Sequence, residues 1–220
     1  MEYPNIQTEK FAEFVGVLLG DGSIGIYRCK ASNKYSIQHR VKITMNSVVD
    51  LNYTDYLRDI IADMFHIEPI VKFRTNEKAL DILIYSKGLV KFLINNANLK
   101  LAPKERRAEV PEVYLNNSLE LKVLRGLFDT DGCVIVTNNN GTIYPRLELK
   151  MVISPMRRQV VGILRRNGFR PTLSPRNNEA HKIRIQLNGQ RQLSRWLSLI
   201  GFSNPKHAEK LQALYRTQAS

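Results

Sequence analysis

Two aspartates, Asp21 and Asp131, stand 110 residues apart in a chain of 220, each near the end of the same nine-residue pattern. The copies, Phe14-Val-Gly-Val-Leu-Leu-Gly-Asp-Gly22 and Leu124-Arg-Gly-Leu-Phe-Asp-Thr-Asp-Gly132, align without a gap. Gly16 with Gly20, and Gly126 with Thr130, are small residues at i, i+4, a narrow helical stripe that another backbone could approach closely. Packing one stripe on the other would bring Asp21 and Asp131 side by side at two helix C-termini. A carboxylate there opposes the helix dipole, and two together repel, so the arrangement calls for cations. Mg²⁺ takes oxygen ligands and keeps several waters, so two carboxylates, backbone carbonyls and phosphate oxygens suffice. Metal ions held in this way activate water for attack on phosphorus, which makes phosphodiester hydrolysis the chemistry to expect. A single Asp-Gly after a helix is usually only a turn; the duplication sets these two apart.

The elements that must position the pair repeat as well. Phe11, Phe14, Val15, Leu18 and Leu19 follow helical spacing behind a Thr8 N-cap, and Leu121, Leu124 and Phe128 do so behind Asn117 and Glu120, a capping-box-like pair. Gly22 and Gly132 fall where left-handed C-caps are expected. In the first half the pattern predicts strands near 23–29, 35–46, 69–75 and 79–85, with helices near 49–65 and 87–95. In the second it predicts strands near 133–137, 144–153, 169–175 and 181–187, with helices near 154–167, 190–200 and 206–217. The fold class is therefore α+β: two pseudo-symmetric αββαββα halves, each with a four-stranded antiparallel saddle-like sheet, meeting at the two motif helices. The expected division is 1–103, a Pro-containing linker over 104–117 with the cluster Lys104-Glu-Arg-Arg107, and 118–220.

Charge points to the partner. The net charge is +13, from 33 Lys and Arg against 20 Asp and Glu, which puts a polyanion first. Residues 1–103 hold 13 basic and 11 acidic side chains, and residues 104–220 hold 20 and 9. Along the predicted strands basic and amide residues alternate with apolar ones. Gln38, Arg40 and Lys42 interleave with Ile37, Val41 and Ile43, and Lys72 and Arg74 with Val71 and Phe73. Arg146, Glu148 and Lys150 interleave with Leu147, Leu149 and Met151, and Lys182, Arg184 and Gln186 with Ile183, Ile185 and Leu187. Period two puts each polar set on one sheet face. That is what any half-solvated sheet shows, but Arg, Lys, Gln and Asn are also the residues that reach phosphates and base edges. With Arg28, Lys30, Lys34, Arg170 and Arg176, these form the candidate DNA-binding set.

At these motifs the chain resembles the LAGLIDADG homing endonucleases, in their compact two-motif monomeric form. LRGLFDTDG is a close match and FVGVLLGDG a looser one, with Leu19 where an acid is common and Asp129 holding that acid in the second copy. The ending Ile200-Gly-Phe-Ser-Asn-Pro-Lys206 is similar to that of archaeal members. The resemblance implies a monomeric, site-specific double-strand DNA endonuclease, intron-encoded, leaving short 3′ overhangs. It further implies Mg²⁺ as cofactor, with Mn²⁺ expected to substitute and Ca²⁺ to bind without supporting cleavage. Asp21 and Asp131 would be the catalytic metal ligands, with Gly20 and Thr130 adding carbonyls. Many members place Lys or Gln at the polar end of each half's second strand, where this chain has Asn46 and Val152; Lys42 and Lys150, on the same faces, are the substitutes. The rivals are an intron maturase using the same saddle on RNA and a DNA-binding regulator with a retired nuclease site. Retention of both aspartates favours the enzyme.

Other signals fall away. Gly20-Asp-Gly-Ser-Ile-Gly25 has the dinucleotide-binding spacing, but the helix precedes it and the strand follows. His39, His66, His181 and His207 lack metal-ligand spacing, and Cys29 and Cys133 read as free thiols. Trp196 reads as core packing. No apolar run approaches the roughly 20 residues of a membrane helix. The start lacks the marks of a secretory signal, so the expected location is the cytoplasm of a prokaryotic host or an organellar matrix.

Overall fold

The computed structural model describes residues 3–31, 34–139, 142–176 and 179–216. The first half runs α1 (Glu9–Leu19), β1 (Gly22–Ala31), β2 (Lys34–Asn46), α2 (Leu51–Phe65), β3 (Ile70–Phe73), β4 (Ala79–Tyr85), α3 (Lys87–Asn95). The second runs α4 (Leu119–Asp131), β5 (Gly132–Asn139), β6 (Thr142–Val152), α5 (Pro155–Arg166), β7 (Thr172–Arg176), β8 (Glu179–Asn188), α6 (Gln190–Leu199), and α7 (Pro205–Arg216) follows. The two sheets have strand orders β1-β2-β4-β3 and β5-β6-β8-β7, antiparallel throughout. The α+β repeat read from the sequence is the observed architecture.

Each sheet buries one face under its helices and leaves the other open, which is why the strands alternate. Val41, Ile43 and Met45 of β2 and Leu147, Leu149 and Met151 of β6 are buried against them. Phe11, Phe14, Phe65 and Phe92 interlock in the first half. In the second, Trp196 lies against Phe128, Phe169 and Phe202 and donates Nε1–H to the Gly201 carbonyl at 3.0 Å, so it is a packing residue with its polar edge satisfied. No helix among the described residues is long and apolar enough to cross a membrane.

The helix ends correct two expectations. Thr8 caps α1 through its hydroxyl, which accepts from the Phe11 N–H at 3.2 Å. At α4, however, the cap residue is Ser118, with no side-chain capping bond. Asn117 instead accepts from the Leu119 N–H, and Glu120 turns back to the Asn116 N–H while holding Arg166 and Asn167. Glu120 serves a tertiary network because α5 presents it with a guanidinium. Nor are Gly22 and Gly132 left-handed caps: Gly132 has φ −82° and Gly22 is not among the positive-φ glycines. They are needed for space. A Cβ on Gly22 would lie 2.4 Å from Leu18 Cα, and one on Gly132 would lie 2.4 Å from the Phe128 carbonyl oxygen. The chain leaves each helix directly into a strand that runs close over the last turn.

Candidate active site

The acidic pair is placed by the contact of α1 with α4. A Cβ on Gly16 would fall 2.1 Å from the Val123 carbonyl oxygen, one on Gly126 2.0 Å from that of Glu13, and one on Gly20 2.1 Å from Thr130 Oγ1. At the first two points backbone meets backbone, and at the third it meets the Thr130 side chain. A Cβ on Gly20 would also lie 3.4 Å from the Asp131 carboxyl carbon, so the two helix ends arrive together. Asp21 and Asp131 reach the surface there and lie within hydrogen-bonding reach of each other. Protein crowded around the carboxyl groups desolvates them, and a neighbouring charge adds to this, that of Asp21 on Asp131 and that of Asp50 on Asp21. Both are held above the usual carboxylate range, Asp131 at about 7. Two helix-end carboxylates that resist ionising together are a donor set fitted to a divalent cation. Among the described residues no cluster of three His, Cys, Asp or Glu side chains offers another metal site.

The basic groups with the largest electrostatic pull on the pair are not on the strands. Lys104, from the segment joining the halves, donates from Nζ to the Gly20 carbonyl at 2.7 Å and to the Leu18 carbonyl, capping the end of α1. Burial pulls its pKa down to about 8, against the opposing pull of Asp131 and Asp21. Lys206 approaches from the other side, on Asp50 Oδ1 at 2.8 Å, and its charge is the largest electrostatic influence holding Asp21 down. The two lysines occupy matching places in the repeat, Ala102-Pro103-Lys104 after α3 and Asn204-Pro205-Lys206 after α6. That shared Pro-Lys was the sequence signal that could have found them.

Both lysines sit on fixed backbone. Before Lys104 the Ala102 N–H bonds the Ile24 carbonyl, and after it the Gln159 side chain brackets both polar groups of Val110. Before Lys206, Asn204 is buried and donates to Asp50 Oδ1 and to the Asp129 carbonyl, bridging the halves. Asp129 is itself buried and accepts from the Ser203 N–H at 2.8 Å.

Of the strand lysines proposed as catalytic substitutes, Lys150 lines a cavity of about 230 Å³ together with Gly20, Lys104 and Asp131. The charge of Lys42 acts on Asp81, on the same open face.

The strand pairing sorts the remaining candidates. Gln38, Arg40, Lys42, Lys72 and Arg74 share the open face of the first sheet, and Lys34 belongs to it by alternation. Arg28 and Lys30 alternate with that set onto the helix side, where both lie over the Tyr35 ring. Arg146, Glu148, Lys150, Lys182, Arg184 and Gln186 share the open face of the second sheet. Arg170 precedes β7 and is exposed, and the side chain of Arg176 lies outside those described. Several members are already engaged. Arg74 is forked onto Asp81, with Nε at 3.0 Å and one terminal nitrogen at 2.8 Å, so it braces the face in this conformation. Glu148 is buried and accepts from Gln186 Nε2 at 2.8 Å, with Arg146 and Lys150 each 3.9 Å away; it orients its neighbours. Arg40 stacks 4.6 Å over the Tyr27 ring, which folds into the space that the absent side chain of Gly25 leaves.

Comparison with known proteins agrees with this geometry. A family model described as a LAGLIDADG-like domain matches residues 118–201. The similarity of fold extends over both halves. The homing endonuclease I-DmoI, solved in complex with DNA and Ca, superposes with a TM-score of 0.64 at 18% identity, covering 93% of this chain and 97% of that one. I-LtrWI, a LAGLIDADG homing endonuclease bound to target DNA, gives 0.62 at 14% identity, covering 94% and 88%. I-SmaMI, bound to uncleaved DNA target with calcium, gives 0.63 at 11%, covering 91% and 87%. No curated protein sequence matches the chain. The whole chain thus has the LAGLIDADG fold, with the paired motif helices at its centre.

Proposed function

We propose that this protein is a divalent-metal-dependent endonuclease that cuts both strands of a specific DNA site. The observation that carries the proposal is the meeting of one aspartate from each repeat, Asp21 and Asp131, between two open sheet faces rich in Arg, Lys and Gln. The similar structures solved with DNA and Ca or Mn support it. In this reading the sheets follow the major groove of a duplex, a fit available to two-stranded ribbons. The aspartates then face the phosphates at the centre of the site, one per strand.

Asp21 and Asp131, with the Thr130 carbonyl, would hold the metal, and Mg²⁺ is the ion we infer; the Gly20 carbonyl, expected from the resemblance to join them, already accepts from Lys104 Nζ at 2.7 Å. The chemistry such an ion would supply there is activation of water and neutralisation of the leaving oxygen. The chain's own groups do the rest. Lys104 and Lys206 flank the carboxylates and supply positive charge where a phosphate arrives and where negative charge develops. Lys104 holds its proton up to about pH 8, so it remains a cation at neutral pH despite its burial. We infer further that the protein acts as a monomer, both acids being on one chain, that its cuts leave short 3′ overhangs, and that it is intron-encoded.

The test replaces Asp21 or Asp131 by Asn and maps cut ends on a randomised or intron-minus genomic DNA library with Mg²⁺. Each variant should lose cleavage of both strands while keeping, or improving, DNA affinity, since a negative charge facing the phosphates is removed. Wild-type cutting by either variant would overturn the assignment.

A further inference from the structure

The second half carries far more positive charge than its open sheet face uses. Between residues 149 and 208 there are twelve Lys and Arg and one acidic residue, Glu179. Of these cations six are arginines of α5 and α6, helices with no Asp or Glu at all. The matching helix of the first half, α2, carries Asp55, Asp59 and Asp63 against a single Arg58. The asymmetry therefore belongs to the outer layer.

These helices turn Met156, Val160, Ile163, Leu164, Leu193 and Trp196 into the core, on the buried side of the second sheet. Their outer sides expose Arg158, Arg165, Arg166, Arg191 and Arg195, with Arg170 beside them. The group is continuous. Arg195 donates from Nε to the Asn167 carbonyl at 2.7 Å and covers Gly168, tying α6 to the end of α5, and Gln192 accepts from the Arg170 N–H. Local demands explain part of it: Arg165 and Arg166 sit in the last turn of α5, where the helix dipole favours cations, and Arg166 also meets Glu120 at 2.7 Å. They do not explain Arg158, Arg170 or Arg191, nor the choice of Arg throughout.

We propose that this outer surface is a second binding site for nucleic acid, sequence-independent and specific for the phosphodiester backbone of duplex DNA. Planar guanidinium forks suit phosphate oxygens. Single-strand recognition calls for exposed aromatic platforms, and here Trp196 and Phe169 are both buried. A duplex against the open sheet face cannot reach the far side of the helix layer, so the two sites would engage separate DNA segments. The site deepens the nuclease reading, on which its biological use rests: a protein holding two segments can pass from one to the other while searching.

The experiment measures stoichiometry by sedimentation velocity, with limiting protein, excess 24-bp DNA duplex of unrelated sequence, low salt and EDTA. The wild type should bind two duplexes, and R158Q/R165Q/R191Q one; these three arginines face solvent and are outside the catalytic machinery. Three lost phosphate contacts should weaken the second duplex on the order of tenfold or more, with a shallower salt dependence. The triple variant should cut the mapped target site at the wild-type rate. A single duplex on the wild type, or two equally tight ones on the variant, would overturn the proposal, as would preferential filling of the second site by an RNA duplex of the same length. Loss of target cleavage by the wild type, with two duplexes still bound, would overturn the nuclease reading instead.

Discussion

Gly126→Ala isolates what the helix contact does for the acidic pair. The added methyl would lie 2.0 Å from the Glu13 carbonyl oxygen and 2.9 Å from the Val17 nitrogen. Ordinary van der Waals contact begins near 3.4 Å. Because the opposing atoms are helix backbone, relief requires α1 and α4 to part by roughly 1 Å or more, with no side chain able to swing aside. Overpacking of this kind costs about 1–3 kcal/mol, and for a chain of this size each kcal/mol lowers Tm by about 2–4 °C. The larger effect should be catalytic, since misplacement of reacting groups by about 1 Å costs on the order of a hundredfold in rate. Melting curves and single-turnover cleavage on the mapped target would be read together, with DNA affinity as the check that the sheets are intact. Gly162→Ala is the matched control. It lies in α5 with only the flexible tip of Arg166 at 3.3 Å, so it should be neutral or stabilise by about 0.5–1 kcal/mol. If Gly126→Ala melts and cuts like the wild type, the close backbone approach does not set the site geometry and the reasoning fails.

Two further outcomes follow from the charges around the pair. Lys104→Gln should lower single-turnover cleavage about 10²–10³-fold with a much smaller loss of DNA affinity. In the wild type the Lys104 contribution is present below about pH 8 and fades above it, whereas Lys104→Arg should hold its own neutral-pH rate well above pH 8; coincident pH profiles for the two would remove Lys104 from the mechanism. Asp129, pushed up to about 7 chiefly by burial, keeps its proton in the fold between its unfolded value near 4 and about 7, so its contribution favours folding at low pH and is lost as pH rises through about 7. Asp129→Asn should therefore gain stability relative to the wild type as pH rises from 4 to 7, by a few kcal/mol, in urea denaturation. Parallel stability curves would show that the carboxyl is ionised in the fold. His207, 3.9 Å from Asp129 and lowered to about 4 by burial, acts in the opposite sense in the wild type and flattens its curve over that window.

What could be read from the sequence was whatever local pattern enforces. Period-two strands, helical stripes and a 110-residue repeat follow from backbone geometry, so the two αββαββα units and the open faces carrying Arg40, Arg146 and Arg184 were legible residue by residue. The small residues at 16, 20, 126 and 130 were also legible, as was Asp21 facing Asp131. Where the reading failed, the deciding contact was non-local. Gly22 and Gly132 looked like caps because an Asp-Gly after a helix is locally a cap; only the strand crossing the last turn shows that they are there for space. Lys150 does share a cavity with Asp131, but the cations with the largest pull on the acids, Lys206 on Asp21 and Lys104 on Asp131, come from segments 185 and 27 residues away along the chain. Arg74 and Glu148 looked free to read bases until Asp81 and Gln186 were found beside them. The sequence by itself thus determined the repeat, the fold class and the two acids, because each is encoded in spacing along the chain. Tertiary structure alone decided which cations serve those acids and which face water, because a charged side chain takes its partner from whatever the fold packs against it.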